Sequence, residues 1–213
     1  MGKKLFGLEL GQLEDMINEI MFQTGIEDAK ELYRLLISGE IFFSLDESKF
    51  QEVEGVIFVK VVSDGTTGRQ WMDRFQKKGI HVKNSARKIL LSERFQPTQG
   101  IIHCLVILKG DLFDGGDRRT SEICQITKDG SLEIPNIEVA CLLREKLSDQ
   151  DLENMGLWEI VVMHHPVVDE LGVSRVLGIS RHVNGPWLEA EASDPNKKWD
   201  KDVGFAFISC KGN

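Results

Sequence analysis

Two adjacent histidines, His164 and His165, close an apolar run in Met163-His164-His165-Pro166, with Asp169 close behind. An imidazole steered by a carboxylate moves protons near neutral pH, and paired histidines also ligate zinc. Adjacent side chains on an extended chain point to opposite faces, so these two would not easily share one metal. No His-Glu-x-x-His, no Gly-x-Ser-x-Gly and no cysteine with a nearby histidine supports them. The chemistry they offer is acid–base catalysis. No metal site is assigned.

Two further segments have the residue types that hold anions. In Ser63-Asp64-Gly65-Thr66-Thr67-Gly68 the backbone N–H groups and hydroxyls around Asp64, Thr66 and Thr67 sit between a strand and a helix start. The spacing matches neither a P-loop nor a dinucleotide-binding turn, and the same residues also serve a turn followed by a helix cap. Lys109-Gly110-Asp111 leads through Asp114 and Asp117 to Arg118. Lys109 and Arg118 would hold a phosphate. The three aspartates, at i, i+3 and i+6, do not follow the alternate-position ligand pattern of an EF-hand, so a polar surface loop is the better reading.

The sharpest asymmetry is one of charge. Between residues 69 and 94 stand Arg69, Arg74, Lys77, Lys78, Lys83, Arg87, Lys88 and Arg94 against Asp73 and Glu93. A basic face of Arg69, Arg74, Lys77, Lys78, Arg87 and Lys88 on two short helices would grip an acidic partner or phosphates. Helix, glycine and helix also resemble a helix-turn-helix, although Phe75 and Ser85 fit its packing badly. A solvated helical face is the plainer alternative.

The elements that position these residues follow from periodicity. Leu10, Leu13, Ile17 and Ile20 predict a helix over 9–22, and Thr24 with Glu27 caps a second ending at Gly39. These give a helical appendage at 1–45, either docking outward or packed on a main domain at 50–213. Strands are expected at 56–62, 101–108 and 157–163, with helices starting at Thr67, covering 85–91 and 118–127, and capped by Asn136 and Ser148. Asn184-Gly185 predicts a hairpin between 173–183 and 187–192, followed by an alternating strand at 203–210. The class is α+β: a mixed sheet, helices between its first strands, and an antiparallel meander at the C-terminus.

Bulk properties bound the function. With 26 Lys+Arg against 34 Asp+Glu, a net charge of −8 argues against generalised attraction to nucleic acid or anionic membranes. No run reaches the length of a membrane span, no apolar signal core follows Lys3-Lys4, and the four cysteines lack disulfide or zinc spacing. A soluble cytoplasmic protein with reduced thiols is expected.

Several of these stretches taken together resemble a group of bacterial proteins described only as hypothetical. They are Ser63-Asp64-Gly65-Thr66-Thr67-Gly68 with Trp71, Leu108-Lys109-Gly110 with Phe113, Asp117-Arg118 with Thr120, residues 136–146, Met155-Gly156-Leu157-Trp158, Met163-His164-His165-Pro166 and Gly204-Phe205-Ala206-Phe207. The likeness spans about residues 55–210 and implies a bacterial setting, without an activity or a cofactor. Two functions remain open. One is a non-catalytic binding or regulatory protein using the basic face. The other is an enzyme for a phosphate-bearing or nucleotide-like substrate, formed if three parallel neighbouring strands bring their loops together.

Overall fold

The β-branched runs need neighbours on both sides and cover on at least one face, and the helices each carry one apolar stripe to supply it. The computed structural model describes residues 49–113, 118–129 and 132–209. The expected helices over 9–22 and 24–39, and with them the 1–45 appendage, lie outside the described residues.

A short strand that the sequence reading passed over, β1 (Gln51–Val53), pairs with β2 (Val56–Asp64) through the two-residue turn Glu54-Gly55. Both turn residues have positive φ, +49° and +81°, as a primed hairpin turn requires. Helix α1 (Gly68–Lys77) starts at the expected capping box, Thr67 with Gln70. Then come β3 (His81–Val82), α2 (Asn84–Leu90) and β4 (Gln99–Lys109), which ends in a 3-10 turn at Gly110–Leu112. Helix α3 (Thr120–Gln125) runs into a 3-10 turn at Ile126–Asp129 and the short β5 (Leu132–Glu133).

Helix α4 (Glu138–Lys146) is opened by Asn136, whose Oδ1 accepts from the Glu138 N–H at 2.7 Å. Helix α5 (Asp149–Asn154) has the predicted Ser148–Asp151 capping box. The remaining strands are β6 (Glu159–Val162), β7 (Val167–Val168), β8 (Ser174–His182), β9 (Gly185–Ala192) and β10 (Val203–Ser209). Hairpin β8–β9 pairs His182 with Gly185, so its loop is Val183-Asn184, one residue earlier than the Asn184-Gly185 signal suggests.

All ten strands join one mixed sheet in the order β1-β2-β4-β10-β6-β8-β9-β3, with β5 beside β10 and β7 beside β8. The α+β class is as expected, and β6, β8 and β9 form an antiparallel run. β10 leaves that run and inserts at the centre, antiparallel to β4 and parallel to β6. Its sequence explains why. Val203, Phe205 and Phe207 feed one face and Ala206 the other, all buried, so both sides of β10 need cover.

Among the described residues the two faces are covered unequally. Ile57, Val59, Val61, Leu105, Ile107, Ile160, Val162, Leu177, Ile179 and Leu188 meet Trp71 and Phe75 of α1, Ile89 and Leu90 of α2, and nearly all of α4. On the other face Val56, Val106, Leu108, Val161, Phe205 and Phe207 pack under Ile123, Leu132 and Trp199. Burial of one such large side chain stabilises the fold by about 1.5–3 kcal/mol. Among the described residues no helix is long and apolar enough to cross a membrane.

Close approach makes two glycines obligatory to different degrees. A Cβ on Gly68 would stand 1.7 Å from the Leu90 carbonyl oxygen, where α1 begins against the end of α2. On Gly204 it would meet side chains only, Ile107 Cγ2 at 2.8 Å and Leu157 Cδ1 at 2.9 Å. Gly68→Ala is therefore expected to cost about 3 kcal/mol or more in urea unfolding, and Gly204→Ala clearly less because methyl groups can shift. Equal losses would contradict this packing.

Candidate functional site

The three loops do not share a cleft. Antiparallel pairing of β2 with β4 sends Lys109 and Arg118 to the end of the sheet opposite Asp64, Thr66 and Thr67. β6 does run with β2, but β4 and β10 stand between them. The premise of three parallel neighbours is thus not met, and the enzyme reading that depended on it loses its site.

The five anion-binding candidates are already engaged within the fold. Asp64 Oδ1 accepts from the Thr66 N–H at 3.0 Å and from its hydroxyl, and Arg74 bonds Asp64 Oδ2 at 2.9 Å and Thr66 Oγ1 at 2.8 Å. The Thr66 bonds, with Arg74, hold the Asp64 carboxyl below its usual range. Thr67 is taken up by the helix cap. Lys109 reaches Glu52 at 2.7 Å, and Arg118 donates to the carbonyls of Trp199 and Phe113, each at 3.3 Å. Asp114 and Asp117 lie outside the described residues, and no trio of metal-ligating side chains converges among those described.

His164 is buried and fully hydrogen-bonded. Its Nε2 accepts from the Leu177 N–H and its Nδ1 donates to the His165 carbonyl, both at 2.8 Å, which fixes the neutral ring with the proton on Nδ1. Burial pushes its pKa down to about 4. The ring ties the end of β6 to β8, a structural position in place of the catalytic one expected. His165 is exposed on the opposite side, as the alternation of an extended chain requires.

The basic face is real in position but largely paired. Glu145 of α4 answers Arg74 at 3.1 Å and Lys78 at 2.7 Å, Glu170 answers Lys88 at 2.8 Å, and Glu189 answers Lys83 at 3.0 Å. Arg74 also lies over the Trp71 ring at 4.6 Å. Lys77 sits in the last turn of α1, where a cation favours the helix dipole. Arg69 and Arg87 remain exposed, make no ion pair among the described residues, and line one groove of about 500 Å3 together. Its walls include Met72, Ile80 and Leu91, and its floor runs along Gly79 to Val82.

Among the described residues that floor is the edge strand of the sheet. β3 pairs with β9 through the groups of His81 and Lys83, whose N–H donates to the Leu188 carbonyl at 3.0 Å. Strand alternation turns the N–H and C=O of Val82 away from β9, toward the groove. The insertion of β3 between α1 and α2 also removes the helix-turn-helix likeness.

A second polar surface went unnoticed in the sequence. On the less covered face, Glu159 of β6 lies against Gly178 of β8, whose added Cβ would be 2.6 Å from Oε1. That oxygen is shut off from solvent without a hydrogen-bond partner, although the residue as a whole keeps partial exposure. Burial, reinforced by the charge of Glu191, pushes the Glu159 pKa up to about 8. Glu189 accepts from Ser180 at 2.7 Å and pairs with His182 at 3.0 Å and Lys83 at 3.0 Å. Burial opposes its ionisation, but these bonds outweigh it and lower its pKa. Glu191 pairs with Lys197 at 2.8 Å. The available signal was Glu189-Ala190-Glu191, acids at alternate positions of a strand facing Gly178 and Val176.

These two buried groups give the stability curve two opposed limbs. Glu159 binds its proton more tightly folded than unfolded, so stability falls as pH rises from about 4.5 to about 8, by at most about 5 kcal/mol. His164 binds its proton less tightly folded, so stability also falls as pH drops from about 6.5 to about 4, by at most about 3 kcal/mol. Chemical denaturation across this range is expected to show Glu159→Gln flattening the alkaline limb alone; an unchanged limb would refute the protonated carboxyl. Comparison with protein-family models, with curated proteins and with solved structures gives no match, so function is read from the groove.

Proposed function

We propose that the protein is a non-catalytic binding protein of a bacterial cytoplasm that takes an extended acidic segment of a partner protein along the β3 edge. One observation carries the reading: Arg69 and Arg87, exposed and without an ion pair among the described residues, share a groove in which Asp73 is the one acidic lining residue. A carboxylate on either side of an extended segment would take a bidentate guanidinium, while the Val82 N–H and C=O would extend the sheet by one strand. Met72, Ile80 and Leu91 would accept the apolar side chains between the acids. Nucleic acid fits less well, since Arg74, Lys78 and Lys88 are already engaged with carboxylates and few cations remain for phosphates.

The test is fluorescence anisotropy with a labelled peptide carrying two glutamates flanking Val-Ile-Val, with a single-stranded oligonucleotide as the second probe. The peptide is expected to bind and the double reversal Arg69→Glu with Arg87→Glu to weaken it by about 100-fold, roughly tenfold per lost charge-assisted bond. Lys88→Glu should change little. Peptide binding insensitive to Arg69 and Arg87, or tighter binding of the oligonucleotide, would overturn the reading.

A further inference from the structure

The β3 groove holds one charge that an acidic segment alone leaves unanswered. Asp73 lines the groove, is exposed, and makes neither an ion pair nor a side-chain hydrogen bond among the described residues. The acids beside it are in a different position: Glu145 takes Arg74 and Lys78, and Glu170 takes Lys88. Arg69 stands one turn earlier on the same wall without pairing to Asp73, and a base four residues ahead of an acid is the weaker order for such a helical pair. The α1 wall therefore presents a free cation and a free anion side by side.

Their spacing matches a strand. Four residues of helix advance about 6 Å, and successive same-face residues of an extended chain stand about 6.6 Å apart. A strand added beside β3 turns every second side chain to the side of Val82, which packs with Met72 against the helix-covered core. An acid that meets Arg69 thus brings the residue two positions along level with Asp73. Resting on the binding reading of this groove, we propose that the partner segment is ampholytic, with a lysine or arginine two residues from its acid, and that Asp73 selects it.

Asp73 discriminates in both senses. It attracts a base at that position and repels a further carboxylate, so a uniformly acidic segment is disfavoured even where Arg69 and Arg87 draw it in. A lysine can lay its methylene stem along Met72 and Ile80 while its ammonium reaches the carboxylate. The same carboxylate repels a nucleic-acid strand, whose phosphates carry one sign throughout.

Two labelled peptides of identical composition, centred on Glu-Val-Lys-Val-Glu and Glu-Lys-Val-Val-Glu, would be compared on the full chain by fluorescence anisotropy. In the first the lysine shares a face with both glutamates whichever way the strand runs; in the second it faces away from them. The first is expected to bind about fivefold more tightly, the scale of one exposed ion pair. Asp73→Asn should erase that preference, and Asp73→Lys should favour Glu-Val-Glu-Val-Glu over Glu-Val-Lys-Val-Glu. Asp73 is exposed within α1, so both variants are expected to fold, which thermal unfolding checks. Equal affinity for the two peptides, or a preference that persists in Asp73→Asn, overturns the proposal and leaves the binding reading standing if both peptides still depend on Arg69 and Arg87. Binding of neither peptide, or binding independent of those arginines, overturns both.

Discussion

The central position of β10 is the constraint on which the other features rest. A strand with Phe205 and Phe207 on one side and Ala206 on the other, all buried, cannot lie at an edge. Its insertion between β4 and β6 joins the N-terminal antiparallel group to the C-terminal hairpin and makes the sheet wide. Among the described residues four helices cover one face of that width, while α3, β5 and Trp199 cover only part of the other. Among the described residues the uncovered part falls on β8 and β9, where Glu159 lies beside Gly178 and where Glu189 and Glu191 pair with Lys83 and Lys197.

Width also sets the edge. With β10 in the middle, β3 becomes the last strand among the described residues, flanked by α1 and α2, so its outer backbone groups open into a groove between two helices. The basic segment wraps around that edge. Glu145, from a helix packed against the same face, draws Arg74 and Lys78 inward. Exposed ion pairs of this kind add little stability, but they decide which cations are left to meet a partner. Of the broad basic face read in the sequence, two arginines, Arg69 and Arg87, line the groove.

Local structure was legible because its signals are local. The capping boxes at Thr67 and Ser148, the Asn136 cap, the strands around Val59 and Leu105 and the β8–β9 hairpin all declare themselves within a few residues. Strand order was not. Phe205 and Phe207 alternate with small residues, which reads as a half-exposed strand until Ala206 is seen to be buried as well. The convergence of three loops required parallel neighbours, and no local pattern distinguishes β4 antiparallel to β2 from a parallel crossover. β1 and β3 are too short to carry a period. Glu159 was invisible because its environment is made by Gly178 and Glu191, both distant along the chain.

Hydrogen exchange of the protein with and without the acidic peptide tests the central claim most directly. Slowed exchange of the Val82 amide and its neighbours at 79–83, with no change around Asp64, Lys109 or His165, is the predicted footprint. Protection concentrated in those loops, or an unprotected Val82 amide at saturating peptide, would contradict a binding edge at β3.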